Sequence, residues 1–207
     1  LLPNSLFIGE ESFIKDKNII NFYKENQYCW TVDPIDGTSN YVNGKDKFAI
    51  MIALTFKDKI LQSWIYKPLN DEFIYSKLGQ GTYINEKKIY NKVNIDISKS
   101  TGSISTKYWN DNYYNKIKNI KNMFKEVNSY GCIGFEYVDI AKGNRDFTIL
   151  SKLSPWDHIP GALIIEESGC SIMHFDKTKY NYINNKNNLV VANSDSLLNE
   201  IINLIGG

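Results

Sequence analysis

A chain of 207 residues, 43% of them hydrophobic, is long enough to bury a sizeable core and is not globally disordered. A net charge of +1 gives no general electrostatic case for nucleic acid or an anionic membrane as partner. Cys29, Cys132 and Cys170 are odd in number, widely spaced and free of any C-x-x-C, which argues against a disulfide framework and a thiolate zinc site.

Three buried, reduced thiols in a cytoplasmic protein are therefore expected. No apolar run reaches the roughly 18 residues of a membrane span, and no signal peptide is visible. Lys15, Lys17, Lys57, Lys59, Lys87 and Lys88 are scattered and read as solvated loops and faces. Leu1-Leu2-Pro3 opens the chain without an initiator Met, so the chain reads as a fragment or as lacking an N-terminal part.

Residues 5–9 (SLFIG) read as a short strand ending in the acids Glu10 and Glu11. Residues 15–26 are polar and read as a loop. Residues 28–32 (YCWTV) form a second strand that leads into a turn over 33–38. Residues 48–56 (FAIMIALTF) are short and nearly continuous in apolar character, which predicts a buried strand. Two further strands, 60–66 and 71–78, flank Lys67-Pro68-Leu69-Asn70, and the short turns predict an antiparallel meander. Gly79-Gln80-Gly81 lacks a third glycine and a following helix, so it is not a dinucleotide fingerprint. Residues 79–89 read instead as a hairpin with Asn85-Glu86 near its tip.

Residues 95–105 read as a linker and then a strand. Ile117, Ile120, Phe124 and Val127 recur at helical spacing and predict an amphipathic helix over 112–127. Residues 130–142 read as a glycine turn leading into a helix that stops near Gly143. Residues 145–150 form a strand, and Pro155-Trp156-Asp157 opens a helix that ends before Gly169. Strands follow at 170–175 and 189–192, on either side of an Asn-rich surface loop at 181–188. Ser194 is the expected N-cap of a last helix whose apolar face is Leu197, Leu198, Ile201, Ile202 and Ile205. The first half is strand-rich, the second alternates helix and strand, and no internal repeat is evident.

The chain holds two histidines, His158 and His174, and no G-x-S-x-G, which leaves little for a histidine zinc site or a catalytic triad. His158 is open between a place beside the functional site and packing at a helix start; His174 reads as structural. Carboxylates are better supplied. Asp33 and Asp36 flank Pro34-Ile35, and Pro34 stiffens the link between them. Gly37 allows a close backbone approach, and Thr38 stands where a helix can begin. Two acids so close repel unless a cation lies between them, which suits Mg²⁺ with phosphate. A plain turn with capping roles for Asp36 and Thr38 is the other reading. An EF-hand loop fails, because Gly37 at position six puts Val32 at position one and Asn43 at twelve.

Three stretches carry a family resemblance: Gly9-Glu10-Glu11; Trp30-x-x-Asp33-Pro34-Ile35-Asp36-Gly37-Thr38-x-Asn40-Tyr41; and Trp156-Asp157 before a small-residue helix ending in Glu-x-Gly. In this order they resemble the inositol monophosphatase family of metal-dependent, lithium-sensitive phosphatases, over essentially the whole chain. The resemblance implies an α/β fold of α+β type, a layered αβαβα sandwich of the sugar-phosphatase kind. It implies one domain over 1–207, with an antiparallel sheet half over about 1–105 and a mixed α/β half over about 106–207. The family's N-terminal helices, with their Asp-bearing segment, are absent from the chain.

The same resemblance implies a site. Glu10, Asp33 and the Ile35 carbonyl would hold one Mg²⁺; Asp33, Asp36 and Asp157 would hold a second; a third, weaker ion would lie near Glu10. Gly37 and Thr38 would contact phosphate, while Glu10 and Thr38 orient a water. Gly131, Cys132 and Asp157 would contact substrate. Glu11 is left beside the ligands or in solvent. Glu10 as a solvated strand end and Asp157 as a plain N-cap stay open. The implied function is a Mg²⁺-dependent phosphomonoesterase acting on a small phosphorylated metabolite, in the cytoplasm and as a homodimer; the alternative is a catalytically weak protein-binding or regulatory module. Leu150 stands where inositol-selective members carry a Glu, which weakens inositol as the substrate. Glu136 and Arg145 are open between the pocket and a surface or helix role.

Overall fold

The structure is a computed structural model, and it describes residues 2–91, 93–184 and 186–206. The chain begins with strand β1 (Leu6–Gly9), helix α1 (Glu10–Lys15) and a 3-10 helix over Lys17–Lys24. β2 (Tyr28–Asp36), α2 (Thr38–Val42), β3 (Ala49–Phe56), β4 (Lys59–Lys67), β5 (Glu72–Lys77), β6 (Gly81–Ile84) and β7 (Lys87–Ile89) complete the first half. β8 (Thr101–Ile104), α3 (Asp111–Ile120), β9 (Glu126–Val127) and α4 (Ile133–Lys142) follow. The chain closes with β10 (Phe147–Leu150), α5 (Pro155–Glu167), β11 (Ser171–His174), β12 (Leu189–Ala192) and α6 (Asp195–Gly206).

Strands β1 to β7 form a seven-stranded sheet in chain order. It is the expected meander, antiparallel except that β1 runs parallel to β2. The second sheet is mixed, in the order β11-β12-β10-β8-β9, with β8 parallel to both β10 and β9. β8 therefore belongs to the second sheet, although it falls before residue 105. Helices α4 and α5 lie between the sheets. Their apolar side chains meet Met51, Ile65 and Ile74 from the first sheet and Leu150, Leu189 and Val191 from the second. Helices α3 and α6 cover the far side of the second sheet, where Ile117, Ile120, Leu198 and Ile201 join Phe147 and Val190.

Several local expectations change. Glu10 and Glu11 open α1 rather than ending β1, which places two acids in the first turn of a helix, where the dipole favours them. Residues 17–24 are a 3-10 helix and not a loop: Asp16 accepts the Asn18 N–H at 2.9 Å, and Ile19 and Tyr23 are buried. The segment at 33–36 stays in β2, with a register shift against β3 between Asp33 and Asp36. Proline cannot donate to the ladder, so a slip at Pro34 is where the strand yields. The helix over 112–127 stops at Ile120. Phe124 turns to extended backbone and stacks on Phe147 at 4.1 Å, and Val127 joins the sheet, so tertiary packing overrides the helical spacing. The 181–188 loop is anchored by Tyr182, which is buried and donates to the Lys57 carbonyl at 2.6 Å; Asn185 lies outside the described residues. At the hairpin tip Asn85 and Glu86 both adopt positive φ (43° and 71°), the pair of values a tight primed turn requires.

Candidate active site

Parallel pairing of β1 with β2 sets Gly9 opposite Val32, so Glu10 leaves its strand at the level where Asp33 begins the slip. Asp33 is 2% exposed and Asp36 7%. Asp33 Oδ1 accepts the Ile35 N–H at 3.0 Å, which folds the backbone across Pro34. Asp36 is held from the other side by the start of α4. Its Oδ2 accepts the Gly134 N–H at 2.6 Å and the Cys132 thiol at 2.9 Å, and its Oδ1 accepts the Ile133 N–H at 3.3 Å. Unpaired N–H groups at a helix N-terminus are natural anion donors. A Cβ on Gly134 would lie 3.0 Å from Asp36 Oδ2 and 3.1 Å from Met51 Sδ, so the approach is as close as glycine allows.

Asp157 comes from the first turn of α5, two residues after Pro155; Ser154, not Asp157, occupies the N-cap. One carboxylate oxygen from each of Asp33, Asp36 and Asp157 lies within 4.8 Å of the others. Burial and the neighbouring acids make this arrangement costly. Asp33 is pushed up to about 7, first by burial and then by Asp36. Burial raises Asp36 against its own hydrogen bonds, and burial followed by Asp36 and Asp33 raises Asp157 well above the carboxylate range. Glu10 stands outside the tight cluster but shares its field: burial, Glu11 and Asp36 all raise it. Among the described residues none of the four pairs with a lysine or arginine. An all-oxygen, unneutralised set of this kind fits a hard divalent cation.

The Thr38 hydroxyl donates to the Ile35 carbonyl at 2.8 Å, which leaves the hydroxyl lone pairs free to accept from a water. Gly37 has φ +83°, and a Cβ there would lie 2.9 Å from the Lys47 carbonyl and 3.0 Å from Cys132 Cβ. Gly37→Ala is expected to cost about 1–3 kcal/mol of stability from backbone strain alone, read as a lower Tm, with phosphate-ester hydrolysis falling further than the Tm change explains. Asn40 Nδ2 clamps this turn, donating to the Lys47 and Tyr130 carbonyls at 2.8 Å each.

A cavity of about 390 Å³ adjoins Asp157 and His158 and is walled by Leu150, Lys107, Lys152 and Ser154, among others. Gly131 and Cys132 do not line it. The Cys132 thiol is buried against Asp36, and burial with that acid drives its pKa far up. Glu136 and Arg145 turn from the cavity to each other: they form a buried ion pair, and Glu136 Oε1 also accepts the Tyr130 N–H at 2.8 Å. His158 is buried, with Nδ1 2.9 Å from the Tyr137 hydroxyl and a hydrogen bond to the Lys152 backbone. Burial lowers its pKa to about 4, so it is neutral near pH 7 and positions the start of α5. His174 is buried near the Asn187 and Asn188 carbonyls, a structural place. All three cysteines are free and buried, and burial raises Cys29 to about 12 and Cys170 to about 11, which excludes ready thiolates.

Gly134, Asn40 and Tyr137 do work in the site that sequence reading assigned to no residue. Gly134 had a signal, since it stands three residues after Gly131 at the start of a predicted helix. The other two depend on contacts 90 and 21 residues away.

The chain matches the model of the inositol monophosphatase family over residues 1–206. It is 25% identical over 202 residues to a fructose-1,6-bisphosphatase/inositol-1-monophosphatase of Thermotoga maritima, covering 94% of this chain and 78% of that protein. It is 26% identical over 182 residues to the Nus factor SuhB of Pseudomonas aeruginosa, covering 84% of this chain and 65% of that one. An inositol monophosphatase II from Staphylococcus aureus superposes with a TM-score of 0.83 at 26% identity, covering 97% of this chain and 74% of its own. No helix among the described residues is long and apolar enough to cross a membrane. A family model that spans nearly the whole chain, together with a shared fold, shows that the chain belongs to the inositol monophosphatase family, a family of phosphoric monoester hydrolases.

Proposed function

We propose that the chain is a Mg²⁺-dependent phosphomonoesterase that hydrolyses a small phosphorylated metabolite. The observation that carries this reading is the convergence of three unneutralised carboxylates, Asp33 and Asp36 buried and Asp157 half-buried, beside a cavity of metabolite size. The relatives named above for inositol monophosphate and fructose bisphosphate set the range of candidate esters. Two Mg²⁺ ions, with a weaker third, would supply charge neutralisation and Lewis-acid activation of water when bound. Asp33, Asp36 and Asp157 would hold them, with Glu10 and the Ile35 carbonyl completing the set. That carbonyl accepts from Thr38 and keeps one lone pair for a further partner. Thr38 and Glu10 would orient the attacking water, and the Gly37–Thr38 backbone would receive the phosphate. The α4 N-terminus fixes Asp36, so that ligand pays little reorganisation on loading. We place the enzyme in the cytoplasm as a homodimer, with both sheets forming one catalytic domain.

The test is phosphate release from inositol 1-phosphate and fructose 1,6-bisphosphate, titrated with Mg²⁺ across pH and repeated with Li⁺. Release is expected to require Mg²⁺ and to be inhibited by Li⁺. Protons compete with the cation for Asp33, which is raised to about 7. Below that pH the Mg²⁺ requirement should rise by up to about tenfold per pH unit for each proton displaced. A folded protein that releases no phosphate at any Mg²⁺ concentration overturns the reading. That result would select the second one, a protein-binding module, which the likeness to the Nus factor favours.

A further inference from the structure

The carboxylates of the site stand on elements of unequal rigidity. Asp33 and Asp36 belong to β2, inside the seven-stranded sheet, and Asp157 to α5, a 13-residue helix packed between the sheets. Glu10 opens α1, a helix of six residues with no buried side chain and no side-chain cap at Gly9. A helix this short is not held by its own hydrogen bonds and takes its place from packing. Gly9 is paired opposite Val32, so the point where the chain enters α1 is set, but the direction of the helix beyond it is not. α1 has two apolar side chains with which to pack. Ile14 is 72% exposed. Phe13 is half-buried and lies against Trp156, with the ring centres 5.1 Å apart and the planes tilted by 50°.

Trp156 is a fixed partner. It is buried in a small core with Ile8 of β1, Cys29 of β2, Ala53 of β3 and Ile159 of α5. It also directly precedes Asp157 in the first turn of α5. One ring contact therefore joins the short helix that carries Glu10 to the turn that carries Asp157. Residues three apart on a helix share a face, as Glu10 and Phe13 do on α1. The Glu10 carboxylate is near enough to Asp157 to act on it: burial, Asp36 and Asp33 raise the Asp157 carboxyl, and Glu10 adds to them.

We propose that Phe13 is the positioning residue for Glu10: its packing on Trp156 sets the direction of α1 and holds the Glu10 carboxylate toward the Asp33, Asp36 and Asp157 cluster. The proposal rests on the metal-dependent reading above and concerns the ion to which Glu10 belongs. Phe13 acts only through Glu10. When its ring leaves Trp156, α1 turns about Gly9 and takes Glu10 with it, while the three aspartates stay where β2 and α5 hold them.

The experiment is a double-variant cycle of Phe13→Ala with Glu10→Gln, with Phe13→Leu beside it. Mg²⁺ binding is read by calorimetry, and hydrolysis of inositol 1-phosphate as kcat and as the Mg²⁺ concentration that gives half the maximal rate. Phe13→Ala should weaken Mg²⁺ binding and raise that concentration by about three- to tenfold, the range that loss of an aromatic pair spans. Phe13→Leu keeps an apolar contact and should recover part of the loss. In the Glu10→Gln background Phe13→Ala should add less than about twofold, because the group through which it acts is gone. Its cost to the metal-free fold, read by thermal melts, should be the same in both backgrounds. Equal losses of Mg²⁺ affinity in the two backgrounds would show that Phe13 supports the fold at large and overturn the proposal. Native Mg²⁺ affinity in either Phe13→Ala or Glu10→Gln overturns it as well. Should Phe13→Ala not fold, the same comparison is made with Phe13→Leu and decides on the same terms. Native protein that takes up no Mg²⁺ overturns the metal-dependent reading and the proposal with it, whereas native uptake with an additive cycle overturns the proposal alone.

Discussion

Asp33→Asn is expected to lower Mg²⁺-dependent phosphate release by about 10²–10⁴-fold, the equivalent of removing roughly 3–5 kcal/mol of transition-state stabilisation. In the same variant the melting temperature of the metal-free protein should rise. The two effects share one cause. Asp33 and Asp36 are buried and Asp157 is half-buried, one oxygen of each lies within 4.8 Å of the others, and no lysine or arginine pairs with them among the described residues. Without a cation the cluster opposes folding. Asn keeps the carbonyl oxygen that receives the Ile35 N–H and removes one charge from the cluster. The sign follows from the raised pKa. An acid whose folded pKa lies above its unfolded value favours folding at low pH and loses that contribution as pH rises through about 7. The gain in Asp33→Asn should therefore be larger at pH 8 than at pH 5. Mg²⁺ should raise the native Tm and do little for the variant. Thermal melts at both pH values, with and without Mg²⁺, check this; a variant that keeps full activity, or melts lower than native without metal at pH 8, sinks the assignment of Asp33.

Much of the fold was legible because the local signals agreed. The strand 49–56 is short, apolar and bounded by turns, and the hairpin tip falls at Asn85-Glu86. Helix α5 starts at Pro155, a residue whose fixed φ suits the first turn. The acid pair was legible because Asp33 and Asp36 share one rigid segment around Pro34. What failed was decided by distant partners. Phe124 sits on the helical period of Ile117 and Ile120, yet the Phe147 ring draws it out of the helix. No local pattern says that the Cys132 thiol will donate to Asp36, 96 residues earlier. The cavity wall is built from segments after β8 and β10, 45 residues apart, and no local pattern joins Lys107 to Lys152. Nor does any local pattern say that Glu136 will be buried, since a charged residue in a helix is ordinarily a surface one.

Arg145→Met is expected to be the most destabilising single change away from the carboxylates, by about 3–5 kcal/mol, because it leaves Glu136 buried and unpaired. For a chain of this length that is a fall of roughly 6–20 °C in Tm. Arg145 is 5% exposed and Glu136 2%, and the guanidinium bonds both the Glu136 carboxylate and the Asn128 carbonyl. It also stacks 3.8 Å from the centre of the Tyr130 ring. Burial already raises the Glu136 carboxyl despite these partners. Without Arg145 it should rise further, so the variant should be most stable at low pH and weaken as pH climbs, the sign for an acid with a raised folded pKa. Glu136→Gln in the Arg145→Met background removes the stranded charge and should recover part of the loss and flatten that pH dependence. The pair also holds the loop that carries Gly131 and Cys132 to the start of α4, where Asp36 is bound. Activity in Arg145→Met should therefore fall while the Mg²⁺ requirement rises, and the double variant should move both back toward native. Urea melts from pH 5 to 8, run beside Mg²⁺ titrations of activity, separate the two effects: equal stability loss in the single and double variants would show that the packing of the Arg145 stem, and not the unpaired Glu136, sets the cost.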